Sequence, residues 1–366
     1  MKVISIVGAR PNFIKLEPIA KEFASKGFEH VIVHTGQHYD YEMSKIFFDE
    51  FNIPEPNYNL GVGSETHAKQ LGNIIIKCEI LVKERPDIVL VYGDTNSTLG
   101  GAIASAKNLI PVAHVEAGLR SHNRKMQEEI NRVLTDHISD ILFCPTKSAM
   151  INLEREGLGR FAYNTGDVMV EVLNRYIAKI RDAMINRLNI DKKEYILLTL
   201  HRAENVDNKE RLKLLISAIS EISKDEKVVF PIHPRTYKNL FLFNFWSKLN
   251  NENIKIINPL SYIDFISLEK NARLIITDSG GVQKEAYLLG VPCITLREET
   301  EWVETVEYGW NILVGSRKDQ IMSAVKNFKP CKSRPNLFGD GTASKKIVEF
   351  TRRWIFEKSE NMYRCG

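Results

Sequence analysis

No stretch of this 366-residue sequence approaches the ~18 consecutive apolar residues that a membrane-spanning helix requires. No membrane partner is expected on that account. Charge of one sign is equally scarce. Fifty Lys and Arg stand against 46 Asp and Glu, a net +4. So small an excess does not point to nucleic acid through bulk charge, although a local basic pocket for an anion stays open. The five cysteines, at 78, 144, 293, 331 and 365, are odd in number and show no CxxC spacing. That argues against a disulfide framework or a zinc site and for a reducing cytoplasm. Cys78, Cys144 and Cys293 lie in apolar segments and read as small core residues. Low-complexity tracts are absent, so disorder is not expected. Met1 to Gly8 carries one charge and a short β-branched run, without the longer apolar region and small-residue cleavage site of a signal peptide, and reads as a first strand. Three motifs are missing as well. No GxxxxGK[ST] supports P-loop chemistry, no GxGxxG after the first strand supports NAD, and no HExxH or paired cysteines support a metal. No cofactor and no metal ligand set is therefore expected.

What is present is ordinary globular material, 43% apolar and 26% charged, enough for two domains or one large α/β domain. Strand and helix patterns alternate almost throughout, the sign of parallel sheets covered by helices. Short β-branched runs predict strands at 2–7, 30–35, 88–92, 111–115 and 141–144, then at 195–200, 228–232, 254–257, 274–277 and 293–296. Their nearly continuous apolar character suits burial on both faces. Phe13, Leu16, Ile19, Ala20 and Phe23 repeat at helical spacing, with Pro18 expected to kink that helix or mark a late start. Residues 66–85 read as one longer helix closed by Arg85-Pro86. Further helices are expected at about 208–223, 235–249, 262–271 and 281–290, with an amphipathic helix over 343–356. The halves share an architecture without a sequence repeat, and a charged helical segment at 168–188 precedes the fresh strand of the second half. The expected boundaries are 1–168 for the first doubly wound domain and 169–344 for the second, with a ligand cleft at the carboxyl ends of the strands.

The residues suited to chemistry cluster just after strands. Gly8-Ala9-Arg10-Pro11-Asn12 is a strand–turn–helix junction whose backbone N–H groups and Arg10 suit an anion; a plain turn with a surface arginine is the other reading. Asp94, in Gly93-Asp94-Thr95, suits a catalytic carboxylate, a metal ligand or a helix N-cap. Glu116 leaves the next strand and lies near Asp94 if the two strands are neighbours, where two carboxylates raise each other's pKa; pairing with Arg120 is the alternative. Glu128 and Arg132 share a helix face, as a surface ion pair would. His201, in His201-Arg202-Ala203-Glu204-Asn205, ends a strand where it can protonate a phosphate oxygen or serve structurally. In Thr277-Asp278-Ser279-Gly280-Gly281 the glycines let backbone approach a phosphate, Ser279 adds a donor, and Glu285 lies about one turn into the following helix, in reach of a ribose diol.

Taken together and in this order, these segments, with Thr35-Gly36-Gln37-His38 and His114-Val115-Glu116-Ala117-Gly118-Leu119-Arg120, resemble the non-hydrolysing UDP-N-acetylglucosamine 2-epimerases nearly end to end. The resemblance implies a GT-B fold of two Rossmann-like domains, with a C-terminal helix, about 345–366, packing back on the first. It implies a cytoplasmic homodimer that interconverts UDP-N-acetylglucosamine and UDP-N-acetylmannosamine for surface polysaccharide synthesis. The implied path is anti elimination of UDP to 2-acetamidoglucal and syn re-addition, with no nicotinamide and no metal. By position, Asp94, Glu116 and Glu128 correspond to the acid–base carboxylates and His201 to the residue that assists departure of the diphosphate. Arg10, Ser279, Gly280 and Gly281 correspond to phosphate contacts, Glu285 to the ribose contact and Phe265 to a uracil-stacking ring, with Lys15 and Arg132 in the charge network. Gln37, Gln70, Arg202 and His233 fall where a second, activating substrate site would lie, although Tyr39-Asp40-Tyr41 departs from the glutamine-containing pattern expected there. A GT-B glycosyltransferase would share the diphosphate site but has less use for three carboxylates. A hydrolysing enzyme fused to a kinase needs a longer chain, and a catalytically dead nucleotide-sugar sensor has no need of Asp94, Glu116, Glu128 and His201 together.

Overall fold

Parallel strands buried on both faces dictate the architecture. The computed structural model describes residues 1–37, 48, 50–180 and 182–364; His38, Tyr39, Asp40, Tyr41 and Cys365 lie outside the described residues. The first sheet contains β1 (Lys2–Val7), β2 (Glu29–His34), β3 (Tyr58–Asn59), β4 (Ile88–Tyr92), β5 (Val112–Val115), β6 (Ile141–Cys144) and β7 (Ala162–Asn164). Its order is β3-β2-β1-β4-β5-β6-β7, and every neighbouring pair is parallel. The second contains β8 (Tyr195–Thr199), β9 (Lys227–Pro231), β10 (Ile254–Ile257), β11 (Leu274–Thr277), β12 (Cys293–Thr295) and β13 (Asn311–Leu313), in the order β10-β9-β8-β11-β12-β13, again all parallel. Each sheet begins in its middle, winds one way and then the other. The strand order therefore reverses between β1 and β4 and between β8 and β11, which is where doubly wound sheets place ligands, beyond the carboxyl ends.

The strands show why both faces need cover. Along β8, Ile196 and Leu198 enter one apolar cluster with Phe230 and Ile276, while Tyr195 and Leu197 enter another with Val229 and Ile275. Alternate side chains thus anchor helices on opposite faces. In the first sheet Ile4, Ile6, Val89, Val91 and Val112 build a comparable core with Ile74 and Leu81. Cys78, Cys144 and Cys293 are buried, and burial pushes the Cys78 and Cys293 thiols up to about 12.

The chain divides into two compact units, 1–175 with 336–366 and 176–335, against sequence-based boundaries at 168 and 344. The helix Val168–Ile177 accounts for the first shift. Glu171 accepts the Ser344 N–H at 2.7 Å and its hydroxyl at 2.5 Å, and Arg175 pairs with Glu17, so most of this helix stays with the first unit. The second shift comes from the segment before the last helix. Asp167 N donates to Phe338 O at 2.8 Å, and Gly166, at φ +81°, has room for no side chain beside Phe338 O. The last helix, Ala343–Arg364, then packs on the helix Arg10–Ser25 with Ile347 and Val348 buried.

Local structure departs from the sequence pattern in a few places. The helix expected over 66–85 is two, His67–Lys77 and Ile80–Glu84, the second ended by Arg85 at φ +48° before Pro86, where α conformation is disfavoured. The segment 168–188 is likewise two helices, Val168–Ile177 and Ala183–Leu188. Residues 235–249 form the helix Pro234–Leu242, a left-handed Asn244, and a 3₁₀ turn Trp246–Leu249. The first helix does not start late; it runs from Arg10 through Pro18 to Ser25. The edge strands β3, β7 and β13, two or three residues long, lack a periodic pattern to announce them. Ile347→Ala leaves a cavity where the last helix meets the first unit, and the expected cost is about 2–5 kcal/mol, read as a lowered urea midpoint with an unchanged m-value.

Candidate active site

In the first unit the turn after β1 is drawn tight by what it meets. A Cβ on Gly8 would lie 2.0 Å from Thr35 Oγ1 and 2.1 Å from Ser97 Oγ, so only glycine fits. Asn12 then ties two strand ends together. Its Oδ1 accepts the N–H groups of Gly8 (3.2 Å) and Ala9 (3.1 Å) and the Thr95 hydroxyl (3.2 Å), and its Nδ2 donates to Tyr92 O at 2.7 Å. The turn amides expected to face an anion are therefore engaged by Asn12, and Arg10 is half-buried at the start of the helix.

Asp94 follows β4. The helix Asn96–Lys107 is capped not by Asp94 but by Thr95, whose Oγ1 accepts the Thr98 N–H at 3.3 Å. The carboxylate turns instead to Arg132, a buried guanidinium that also meets Glu129 Oε2 at 2.9 Å. Arg132 is thus no member of a surface pair. The register Tyr92↔Val115 makes β4 and β5 neighbours, and Glu116 leaves β5 at φ +71°, a strained conformation for a residue with a side chain. Its Oε1 lies 2.5 Å from Lys15 Nζ, with both side chains nearly buried. Lys15 Nζ and Glu116 Oε1 also lie 2.8 and 3.4 Å from where a Gly93 Cβ would stand, which places this pair against the turn that carries Asp94. The alternative pairing of Glu116 with Arg120 gives way to this one: Arg120 binds Asp136 and Glu156, each at 2.7 Å. Glu128 is half-buried in the first turn of the helix Gln127–Ile138.

Sequence reasoning missed the groups behind these. His114 spans from Asp136 Oδ1 (2.6 Å from Nδ1) to Gly93 O (2.7 Å from Nε2), fixing the carbonyl next to Asp94. Burial pushes the Asp136 carboxyl up, but His114 and the Arg120 guanidinium outweigh it and hold it below the usual range. Glu129 likewise ends below the usual range: burial is opposed by N–H groups of Ser121 and His122 and by Arg132. Adjacent residues on a helix point about 100° apart: Glu129 is the one taken up by Ser121, His122 and Arg132, while Glu128 stays half-buried beside it.

Gln37 and Gln70 converge on the helix that begins beside Asp94. Gln37 Oε1 accepts Ser97 N–H at 3.1 Å and its hydroxyl at 2.7 Å. Gln70 accepts Asn96 Nδ2 at 2.8 Å and donates to Gly63 O at 2.8 Å.

In the second unit the organising group is Asp278, fully buried at the end of β11. Its carboxylate accepts the backbone N–H groups of His201 (3.0 Å) and Arg202 (2.9 Å) and Asn205 Nδ2 (3.2 Å), which locks the loop after β8. The His201 ring, with Nδ1 3.3 Å from Asp278, keeps about a third of its surface open and lies 5.5 Å from the His233 ring. His233 caps the helix Pro234–Leu242, its Nδ1 accepting the Arg235 N–H at 3.1 Å. Ser279 opens the helix Gly280–Leu289, and its side chain makes no cap bond. A Cβ on Gly280 would strike Glu301 Oε1 at 2.0 Å, whereas one on Gly281 would meet nothing within 4 Å. Gly281 therefore leaves space at the helix N-terminus, where a ligand oxygen is favoured. Glu285, buried on that helix, accepts the Tyr262 hydroxyl at 2.9 Å. Phe265 is 9% exposed and packs with Val282 and Ala286, so the core takes most of its ring. Arg202 is half-buried at the start of the helix Ala203–Val206.

The first unit thus presents carboxylates held by buried cations, and the second a helix N-terminus with an imidazole. These are the two kinds of group that proton transfer and diphosphate binding require.

Comparison with known proteins agrees. A family model described as UDP-N-acetylglucosamine 2-epimerase matches residues 21–352. A Methanococcus maripaludis protein named a UDP-N-acetylglucosamine 2-epimerase homolog is 57% identical over 96% of this chain and 99% of its own. A Pseudomonas aeruginosa UDP-2,3-diacetamido-2,3-dideoxy-D-glucuronate 2-epimerase is 44% identical over 96% of this chain and 99% of its own. The crystal structure of a Methanocaldococcus jannaschii UDP-GlcNAc 2-epimerase in complex with UDP-GlcNAc and UDP superposes with a TM-score of 0.91 at 49% identity, covering 96% of this chain and all of that one. With it, the expected pairing of two Rossmann-like units in a GT-B fold is borne out.

Because the folded Asp136 carboxyl lies below its unfolded value of about 3.9, its contribution to stability is full above that value and is lost as pH falls through the folded value. Urea titrations should therefore show wild-type stability falling below about pH 4. Asp136→Asn should be about 3–5 kcal/mol less stable at neutral pH, because it takes the shared buried carboxylate from His114 and Arg120, and should lose less on acidification.

Proposed function

Because this chain belongs to the UDP-N-acetylglucosamine 2-epimerase family, we infer that the carboxylates at its strand ends carry out the proton transfers of that family's reaction. The reaction is the reversible epimerisation of UDP-N-acetylglucosamine to UDP-N-acetylmannosamine, by elimination of UDP and its re-addition. The sugar's C2 proton adjoins no carbonyl or imine, so direct exchange is too slow. When the bond from C1 to the diphosphate oxygen breaks, C1 gains oxocarbenium character and the C2 proton becomes removable. The C2–H electron pair becomes the double bond of 2-acetamidoglucal, and UDP leaves with the C1–O pair. In the return step a diphosphate oxygen attacks C1 and a proton reaches C2 from the opposite face, the departure anti and the addition syn.

The observation that carries the residue assignment is that Asp94 and Glu116 end adjacent parallel strands, each gripped by its own buried cation, Arg132 and Lys15. Proton transfer needs carboxylates pre-oriented rather than mobile, and these pairs provide that. Asp94, Glu116 and Glu128 serve as acid and base. His201, its backbone anchored by Asp278, stabilises the departing diphosphate, with Arg10, Ser279, Gly280 and Gly281 as further donors. Glu285 takes the ribose diol. Phe265, whose ring packs with Val282 and Ala286 of the helix that carries Glu285, is assigned to the uracil. Gln37 and Gln70 in the first unit, and Arg202 and His233 in the second, are contacts for a second, activating nucleotide sugar. The functional unit is a cytoplasmic homodimer that uses no metal and no nicotinamide.

The reading is tested by incubating the protein with UDP-N-acetylglucosamine in deuterated water and following C2 by NMR. UDP-N-acetylmannosamine carrying deuterium at C2, without net hydrolysis, is expected; binding without exchange or product overturns it. UDP-2,3-diacetamido-2,3-dideoxy-D-glucuronate forms the second arm, since a 44% identical relative bears that name. Exclusive turnover of that sugar would move the substrate and keep the reaction. Asp94→Asn should lose activity by a factor of about 10² or more, as loss of a general acid–base group does, while calorimetry shows UDP still bound. Normal turnover in that variant would leave Asp94 no catalytic part.

A further inference from the structure

The second unit carries an apolar surface that the epimerase reaction does not use. At the end of the helix Pro234–Leu242 three rings pack on one another: Phe241 stacks on Trp246 at 4.7 Å, and Tyr237 lies 4.8 Å from Phe241 and 5.2 Å from Trp246. Trp246 is rooted against the apolar cluster beneath the sheet, so the patch is held in place by the core. Its outer side is nevertheless wet. Tyr237 is 47% exposed, Phe241 46% and Leu242 65%. Exposed aromatic and leucine side chains next to one another mark a contact surface rather than scattered apolar residues.

The charge around the patch indicates what the surface meets. From Lys227 to Asn251 the sequence contains no Asp or Glu, but holds Lys227, Arg235, Lys238 and Lys248. Arg235 is committed to Asp207 and Lys227 to Asp191. Lys238 and Lys248, both exposed, have no carboxylate within 4.0 Å among the described residues, and Lys248 lies over the Phe245 ring at 5.5 Å. The acid that meets this helix, Asp207, is taken up by Arg235 and Asn239, so a symmetric contact with a second copy would bring the like charges of Lys238 and Lys248 together. Tyr237 and Trp246 with their polar atoms, the apolar Phe241, a protruding leucine and flanking lysines with long apolar stems match instead the boundary between lipid headgroups and acyl chains. We propose that Tyr237, Phe241, Leu242 and Trp246, with Lys238 and Lys248, seat this protein peripherally on an anionic lipid surface. The lack of a spanning helix among the described residues does not bear on a patch that lies on the surface.

The test is co-sedimentation of the full-length protein with vesicles of phosphatidylcholine alone or mixed with phosphatidylglycerol. Sedimentation with the mixed vesicles only, reversed by salt, is expected. Phe241→Ser combined with Leu242→Ser should abolish it, and Lys238→Ala should weaken it about fivefold, the effect of one cation near an anionic surface. Circular dichroism and epimerase turnover should be unchanged in each variant, which separates this outcome from misfolding and from failure of the activity assignment. Absence of binding to the mixed vesicles, equal binding of the double variant, or a smaller oligomer in the double variant, as a contact between copies would give, overturns the proposal.

Discussion

A carboxylate taken out of water costs several kcal/mol unless cations and N–H groups replace what the water gave it, and both units of this protein are arranged around that constraint. Asp94 and Glu116 face Arg132 and Lys15; Asp136 holds His114 and Arg120; Asp278 gathers two backbone amides and Asn205. Each arrangement fixes a loop as well as a charge. His114 and Asn12 bind the backbone on either side of the Gly93–Asp94 turn, at Gly93 O and Tyr92 O. Satisfying the buried charges and positioning the reactive groups are therefore one structural act, and loss of any one partner disturbs both.

The sheets decide where such groups can stand. Strands covered on both faces offer little polar space along their length, so chemistry is displaced to their carboxyl ends. There the doubly wound order brings β1 beside β4 and β8 beside β11. Residues some eighty apart in sequence, Asn12 and Tyr92 or His201 and Asp278, become hydrogen-bond partners by this reversal. The two units repeat the solution with different chemistry: carboxylates and cations in the first, a helix N-terminus and an imidazole in the second.

Much of this was legible in the chain. Continuous β-branched runs marked the central strands to within a residue or two, because burial on both faces leaves a dense apolar signal. The short outer strands β3, β7 and β13 carry no such signal, being too brief for a period. The break after Lys77 and the left-handed Asn244 leave no mark in the apolar pattern, whereas the close at Arg85-Pro86 does. Among the polar residues, Asp94, Glu116 and Arg132 stood out because they directly follow strands or share a motif with residues that do. Glu129, Asp136 and His114 did not, because their importance lies in partners far along the chain.

By itself the sequence determined the α/β class, the doubly wound pattern, the absence of P-loop and dinucleotide fingerprints, and the family, since these rest on local periodicity and on motifs read in order. Only the tertiary structure decided that Thr95 rather than Asp94 caps its helix, that Glu116 pairs with Lys15 rather than Arg120, that Arg132 is buried, and that Asn12 engages the first turn's amides. It also decided that Tyr237, Phe241 and Leu242 face water while Phe265 faces the core. The reason is physical: periodicity reports which side of an element is apolar, whereas a charge or a ring acquires its role from the element packed against it, and that neighbour is chosen by the topology of the whole sheet.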